Sequence, residues 1–243
     1  MLDLDDTTVV HGKKNLPSAR VTQAIAKAKE KIHVCLATAR PLPDTKSIMT
    51  HLKLSGPCII TNGTQIYDPM TKKIIRETVL PRDILPTVYA TCLNYSVRAI
   101  CYDGEKDSQY FGGPIPPKVL SIYLPEIDRQ MVDGLVSELK NIPHVNVQKL
   151  NAWNKQFMSI DVTDEDASKL HGIVEVAKIL GIQTEEIIGV GDGYNDFPLL
   201  MACGLKIAMG NAVSELKSIA DFVAPSVYDD GVATVIEKFV LTS

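Results

Sequence analysis

The two ends of the chain share one pattern of apolar and polar positions. Five short continuous apolar runs are typical of strands buried on both faces of a parallel sheet; they cover 32–37, 58–60, 187–190, 206–209 and 222–224. Between them, apolar residues recur at helical spacing over 18–28, 44–52, 169–180, 197–202, 213–220 and 232–240. This alternation predicts an α/β domain built from both flanks of the chain.

The pattern changes in the middle of the chain, after a predicted β-hairpin at 66–67 and 73–76. Helical spacing over 82–93 and 128–139 is mixed with strand-like stretches, without a strict βα repeat; these stretches are 97–102, 108–111, 120–124, 145–147 and 157–162. An α+β unit with an antiparallel sheet is predicted here, inserted into the α/β domain. We therefore expect a core at 1–80 and 166–243 and the inserted domain at 81–165.

The first eight residues carry three carboxylates, Asp3, Asp5 and Asp6, behind a short apolar lead-in. Alternate residues of an extended segment share a face, so Asp3 and Asp5 are expected to point the same way, with Leu4 turned to the core. A hard cation such as Mg²⁺ relieves the repulsion between them. A solvated turn is the alternative. The short lead-in means either a very short first strand or a start that lies upstream, and we favour the second.

Polar side chains also follow other predicted strands. Thr38 and Arg40 follow the run at 32–37, where they are placed to meet an anion, although Thr38 could simply cap the next helix. Asp192 and Asp196 follow the run at 187–190, and Lys169 begins the helix before that run. The carboxyl ends of parallel strands lie along one edge of a sheet, so these groups would converge on a metal and phosphate site.

Composition narrows the possible partners and the compartment. The net charge of −4, without a run of Lys or Arg, argues against nucleic acid as a partner. No apolar stretch is long enough to span a membrane, and no secretion signal is visible. The five cysteines are spread through apolar runs and form no CxxC pair, which favours reduced core thiols over a zinc site and indicates a cytoplasmic protein.

Four short motifs resemble those of the haloacid dehalogenase (HAD) superfamily of phosphohydrolases, in the same order. Residues 3–7, Asp-Leu-Asp-Asp-Thr, match its DxDxT signature, and Thr38, Lys169 and the GDGYND run at 191–196 resemble its second, third and fourth motifs. The segments 61–64 and 208–212 look like those of the Cof-like branch.

The resemblance implies a role for each matching residue. Asp3 would attack phosphorus and become an aspartyl-phosphate, and Asp5 would act as general acid and then base. The phosphoryl oxygens and neighbouring carboxylates would be held by Thr38, Ala39, Arg40, Lys169 and Asn195. The metal site would take Asp3, the main-chain carbonyl of Asp5, Asp192, and Asp196 as a ligand or close by. Arg40 could instead tie the inserted domain to the core.

The resemblance also implies a Rossmann-like core with a parallel sheet. The insert between Thr38 and Lys169 would be the family's type-two cap of the B subtype, which closes over the metal and excludes water. The expected function is that of a Mg²⁺-dependent phosphatase for a small phosphorylated metabolite of the sugar phosphate or phosphoglycolate type. The alternatives are a phosphomutase of the same superfamily and a catalytically silent sugar-phosphate-binding regulator. The sequence does not indicate an oligomeric state.

Overall fold

A computed structural model of the protein describes residues 1–10, 16–152, 154 and 156–242. The predicted loop at 9–17 falls partly outside these residues. The described chain forms two compact units: Met1–Arg76 with Lys169–Ser243, and Glu77–Ser168.

The first unit contains the elements of both flanks of the chain. Its helices are α1 (Ala19–Ala28), α2 (Leu42–His51), α5 (Lys169–Leu180), α6 (Phe197–Ala202), α7 (Ser214–Ser218) and α8 (Gly231–Ile236), the last followed by a wider helical turn at Glu237–Leu241. Its strands are β1 (Cys58–Ile60), β2 (Gln65–Asp68), β3 (Lys73–Glu77), β9 (Ile188–Gly191), β10 (Leu205–Ala208) and β11 (Phe222–Val223).

Parallel pairing joins the two flanks into one arrangement. Strands β9, β10 and β11 pair in parallel, and Leu2 forms parallel bridges with both Val190 of β9 and Leu36. Ala37 in turn bridges to Ile59 of β1, which pairs antiparallel with β2 in a three-stranded sheet of order β1-β2-β3. The α/β prediction for the flanks is confirmed, and the strand ends before Asp3, Thr38 and Asp192 share one edge.

The predicted continuous strand at 32–37 is wrong in extent. Only Leu36 and Ala37 form bridges, and Ile32 is 43% exposed. The reason is local: the amides of Lys31 and Ile32 both donate to the carbonyl of Ala28, so the end of α1 takes up the first part of the apolar run. The final helix covers the predicted residues 232–240, but regular α-helical bonding ends at Ile236 and a wider helical turn takes up Glu237–Leu241.

Helix α5 has the bounds that its spacing predicted, and it begins at Lys169. Its approach to β1 depends on Gly172, where an added Cβ would lie 2.8 Å from the side chain of Ile59. A distance under 3 Å is too short for two carbon atoms in contact. The absence of a side chain at 172 therefore lets the first turn of α5 lie against β1, and this fixes the depth of Lys169.

The second unit is an antiparallel sheet with two helices, as predicted for this part of the chain. Its helices are α3 (Leu85–Asn94) and α4 (Arg129–Leu139), and its strands are β4 (Ala99–Tyr102), β5 (Asp107–Tyr110), β6 (Ser121–Asp128), β7 (Val145–Asn151) and β8 (Phe157–Asp164). The sheet order is β5-β4-β6-β8-β7, and every pair is antiparallel.

The middle of this sheet carries a row of polar residues. Tyr123 of β6 and Gln148 of β7 both lie opposite Asp161 of β8. Asp161 and Gln148 are buried, and neither the oxygen nor the nitrogen of the Gln148 amide has a hydrogen-bond partner. Buried amides are almost always paired, so this row is unusual for a sheet interior.

The structure also bears on the compartment and membrane predictions. In the part of the chain that the structure describes, no helix has the length and apolar character needed to cross a bilayer. All five cysteines are buried and free.

Candidate active site

The backbone at Leu2, which forms isolated bridges on both sides, places Asp3 at the edge of the parallel sheet. The amide of Leu2 donates to the carbonyl of Cys35, and the amide of Asp3 donates to the carbonyl of Val190, each at 2.9 Å. Pairing on both sides fixes the backbone of these two residues and the direction of the Asp3 side chain.

Three carboxylates meet beyond this edge. One oxygen from each of Asp3, Asp192 and Asp196 lies within 4.8 Å of the others, and all three residues are buried. The side chain of Lys169 has no exposed surface, and its Nζ donates to Asp3 Oδ1 and, at 2.5 Å, to Asp196 Oδ1. The structure therefore brings together four of the predicted site residues from both flanks of the chain.

The charges in this cluster are unbalanced. Burial raises the pKa of Asp3 to about 7; the charge of Asp196 adds to the rise and that of Lys169 opposes it. Burial, with the charges of Asp3 and Asp196, raises the pKa of Asp192 well above its usual range. Burial alone would lower the pKa of Lys169, but the charges of Asp196 and Asp3 outweigh it and raise this pKa. The cluster thus holds more negative charge than one ammonium offsets.

Asp196 organises the loop that carries Asp192. Its Oδ2 accepts hydrogen bonds from the amides of Asp192 and Gly193, both at 2.9 Å, while its Oδ1 accepts from Lys169. A Cβ at Gly191 would lie 2.5 Å from the Asp196 carboxyl carbon, so the turn requires glycine there. Because both oxygens of Asp196 already accept hydrogen bonds, a place beside the ligands fits it better than direct ligation.

Thr7 is a site residue to which the sequence reasoning assigned no role. Its hydroxyl donates to Asp192 Oδ1 at 2.8 Å, across 185 positions of the chain. Next to it, the hydroxyl of Thr8 donates to the main-chain carbonyl of Asp3 at 2.6 Å. Thr7 is the last residue of the DxDxT match, and that motif was the signal that could have identified it.

Asp5 does not join the carboxylate cluster but pairs with Arg40. Arg40 Nε donates to Asp5 Oδ2 at 2.8 Å, and Nη2 donates to Oδ1 at 2.5 Å. Asp3 and Asp5 therefore have different partners, Lys169 and Arg40, although both were expected on one face. Neither interpretation of Arg40 from the sequence included this partner. Leu4 between the two acids is fully buried, as predicted.

The two remaining polar residues, Thr38 and Asn195, are linked through Asn62. The Thr38 carbonyl accepts from the amide of Asn62 at 3.0 Å, and the Asn62 Oδ1 accepts from Asn195 Nδ2 at 3.2 Å. The Thr38 hydroxyl is buried and accepts from the amide of Arg40 at 3.1 Å. Ala39 lies between Thr38 and Arg40 in this loop. The bond from Asn195 runs to Asn62, whereas the sequence predicted that Asn195 orients the carboxylates.

The turn after β1 has an uncommon backbone. Thr61 and Asn62 have φ of 49° and 51°, and Gly63 follows with φ of 101°. A β-branched threonine in this left-handed region is strained. The Thr61 hydroxyl is also buried without a hydrogen-bond partner. The turn places Asn62 against Thr38 and Asn195, and no sequence signal for this conformation was recognised.

The donor set suits a hard divalent cation. Asp3 and Asp192 offer carboxylate oxygens, the ligands that Mg²⁺ prefers in proteins, and Asp196 lies beside them. A cation would also offset the surplus negative charge that raises the pKa values of Asp3 and Asp192. No nitrogen or sulfur ligand belongs to this group within the described residues, which disfavours zinc.

The raised pKa of Asp3 predicts how the stability of the metal-free protein depends on pH. The folded state holds this proton up to about pH 7, whereas an unfolded aspartate loses it near the ordinary value of 3.8. The contribution to stability is therefore complete below the unfolded pKa and is lost as the pH rises through the folded one. In EDTA, we expect the melting temperature to fall by about 3 °C or more between about pH 5 and about pH 8.

Differential scanning calorimetry measures this slope. The Asp3→Asn protein is the control, because it lacks the titrating group, and its slope should be shallower. Equal slopes in the two proteins would contradict the assignment of the raised pKa to Asp3.

Comparison with known proteins gives the family and the fold. The sequence pattern of the haloacid dehalogenase-like hydrolases matches residues 1–112 and 117–236. The chain is 24% identical to the 5-amino-6-(5-phospho-D-ribitylamino)uracil phosphatase YcsE of Bacillus subtilis, over 99% of this chain and 94% of that protein.

Two solved structures show the same fold. A haloacid dehalogenase-like hydrolase from B. subtilis superposes with a TM-score of 0.85 and 20% identity over 98% of each chain. A HAD subclass IIB sugar phosphatase superposes with a TM-score of 0.81 and 21% identity, over 98% of this chain and 96% of that one.

Proposed function

The chain belongs to the haloacid dehalogenase-like hydrolase family, and from this premise we propose that it is a Mg²⁺-dependent phosphatase acting through an aspartyl-phosphate. The match to the family pattern confirms the resemblance drawn from the four motifs. The observation that carries the proposal is the buried cluster in which Lys169 lies between Asp3 and Asp196, with Asp192 beside them. Hydrolases of this family use a divalent metal, and the relative YcsE of B. subtilis is a phosphatase.

The metal site would be formed by Asp3, Asp192 and the main-chain carbonyl of Asp5, with Asp196 beside them. When bound, Mg²⁺ neutralises the carboxylates and stabilises the charge that develops on the phosphoryl oxygens. Thr7 holds the Asp192 carboxylate through the hydroxyl that donates to its Oδ1. Asp196 holds the loop at residues 192 and 193 through their amides.

Asp3 is the proposed nucleophile. One of its oxygens forms a bond to phosphorus as the bond from phosphorus to the leaving oxygen breaks, and the electron pair of that bond stays on the leaving oxygen. The backbone pairing of Leu2 and Asp3 on both sides holds the nucleophile still during this step. Lys169 balances charge on the cluster and on the phosphoryl oxygens. Thr38, Ala39 and Asn195 would contribute the remaining contacts to those oxygens, whereas the guanidinium of Arg40 faces Asp5.

Asp5 is the proposed general acid and base. Its proton passes to the leaving oxygen, and its carboxylate then takes a proton from the water that attacks the aspartyl-phosphate. That second attack breaks the bond between phosphorus and Asp3, which regenerates the carboxylate of Asp3. Asp5 stands outside the carboxylate cluster and is partly exposed, which suits proton exchange with substrate and water.

We assign the second unit, Glu77–Ser168, as the type-two cap of the B subtype. Its antiparallel sheet with two helices supports this assignment. The substrate is proposed to be a small phosphorylated metabolite of the sugar phosphate or phosphoglycolate type, in line with the phosphoribityl substrate in the name of YcsE. The five free cysteines support a cytoplasmic location. No specific observation favours the phosphomutase or the silent regulator.

Metal removal tests the proposal. We expect phosphate release from p-nitrophenyl phosphate and from members of a panel of phosphorylated metabolites to fall by at least about 10²-fold in EDTA. Adding Mg²⁺ should restore it, whereas Ca²⁺, which prefers more ligands at longer distances, should not. Phosphate release that is unaffected by chelation would remove the metal from the mechanism.

A further inference from the structure

We propose that Arg40 is a positioning residue that fixes the carboxyl group of Asp5 for its two proton transfers. The inference rests on the proposed function, because it concerns the acid and base of that reaction. It assigns the guanidinium to an internal partner rather than to the substrate. Three observations carry it: the geometry of the pair, the anchoring of the Arg40 backbone, and the turn that holds Asp5.

The pair has the geometry of a fork. Two nitrogens of the guanidinium, Nε and Nη2, each donate to a different oxygen of Asp5, at 2.8 and 2.5 Å. Two parallel bonds between planar groups fix both the distance and the rotation of the carboxyl group, which a single bond cannot do. The side chains are 19% and 26% exposed, so water competes only in part.

The backbone of Arg40 is held on both sides. Its amide donates to the hydroxyl of Thr38 at 3.1 Å, and its carbonyl accepts from the amide of Thr61 at 3.0 Å. Thr61 is itself in the left-handed conformation. The loop is thus fixed from two neighbouring strand ends, and the Arg40 side chain leaves it towards Asp5.

The backbone around Asp5 is held in a tight turn. Asp5 forms a bridge with Val9, and the amide of Asp6 donates to the Val9 carbonyl at 2.8 Å. The amide of Thr8 donates to the carbonyl of Leu4 at 2.9 Å. With its backbone fixed, Asp5 keeps the freedom to rotate only about its side-chain bonds, and the fork removes that freedom.

The chemistry of the reaction gives this fixation a purpose. In the first step the proton of Asp5 moves to the leaving oxygen, which keeps the electron pair of the broken bond to phosphorus, and Asp5 becomes a carboxylate. In the second step that carboxylate takes a proton from the attacking water. The guanidinium holds the carboxyl group in both steps: through both oxygens when Asp5 is a carboxylate, and through the unprotonated oxygen when the other oxygen carries the proton for the leaving group. The acid and the base therefore act from one place.

A comparison of leaving groups tests the proposal. p-Nitrophenolate is stable without a proton, whereas an alkoxide needs one as it leaves. In Arg40→Gln, we expect kcat/KM for the alkyl phosphate turned over fastest in the panel to fall by about 10²-fold. For p-nitrophenyl phosphate the loss should stay below about threefold. Arg40→Lys should recover only part of the loss, because it keeps the charge but not the fork.

Arg20→Gln is the matched control. Arg20 makes a similar two-nitrogen pair with Glu237 in the same unit, at 3.4 and 2.7 Å, with both side chains 47% exposed. This variant should match the wild type on both substrates. Melting temperatures of all variants show whether any loss comes from unfolding.

A double variant separates positioning from substrate binding. If Arg40 acts through Asp5, Asp5→Asn with Arg40→Gln should be no slower than Asp5→Asn alone. Equal losses on both substrates, or losses that multiply in the double variant, would overturn the proposal and favour direct contact with the substrate anion. An inactive wild type would instead refute the proposed function. If Asp5→Asn lowers kcat/KM equally for the alkyl phosphate and for p-nitrophenyl phosphate, the acid role of Asp5 is refuted.

Discussion

Replacing Asp3 by asparagine is expected to abolish phosphate release, with kcat lowered by at least about 10⁴-fold. The two side chains have nearly the same shape, but an amide oxygen is a poor nucleophile and does not give a stable acyl phosphate here. The variant also removes one of three buried carboxylates whose charges repel one another. We therefore expect it to fold.

Two measurements separate loss of the nucleophile from other effects. Acid quenching followed by mass spectrometry should show phosphorylated protein in the wild type and none in Asp3→Asn. Asp133→Asn is the control, since Asp133 is an exposed aspartate paired with Lys149, and it should keep full activity. Substantial Mg²⁺-dependent turnover in Asp3→Asn would rule out the aspartyl-phosphate at this residue.

Replacing Lys169 by methionine is expected to cost about 3–5 kcal/mol of unfolding free energy and to reduce activity below detection. Methionine has a similar length, so little packing is lost. The change instead leaves Asp3, Asp192 and Asp196 buried without the ammonium that bonds two of them. Their repulsion then acts in a region of low dielectric constant.

Urea unfolding in EDTA measures this cost. Adding Asp196→Asn to Lys169→Met should recover part of the stability by removing one of the repelling charges, without recovering activity. Lys149→Met removes an exposed lysine–aspartate pair and should change stability by less than about 1 kcal/mol. A loss of that small size in Lys169→Met would mean that the lysine does not balance the cluster.

The regular elements near the site were the most predictable part of the fold. Helices α5 and α6 have the bounds that their apolar spacing gave, because one face of each packs on the sheet. The rule that parallel strands end at one edge placed Asp3 and Asp192 close together, from sequence positions far apart. Helix bounds and the alignment of strand ends depend on the pattern of apolar residues, which can be identified directly in the sequence.

Local geometry was harder to predict. The apolar run at 32–37 contains both the end of a helical turn and a short strand, and hydrophobicity alone does not separate them. The pairing of Arg40 with Asp5 depends on a loop held by Thr38 and Thr61. The bond from Thr7 to Asp192 depends on the turn after Leu4. Such contacts follow from rotamers and turns, which no spacing rule encodes.

The left-handed residues at 61 and 62 lower thermal stability while they support the active-site loop. A left-handed conformation at a non-glycine residue costs roughly 1 kcal/mol of folding free energy. The buried hydroxyl of Thr61, which has no hydrogen-bond partner, adds to that cost. A laboratory selection for heat resistance alone would therefore favour glycine at position 61. The same substitution would loosen the backbone that supports Arg40 and Asn62. The protein would then be more stable to heat but would turn over substrate more slowly.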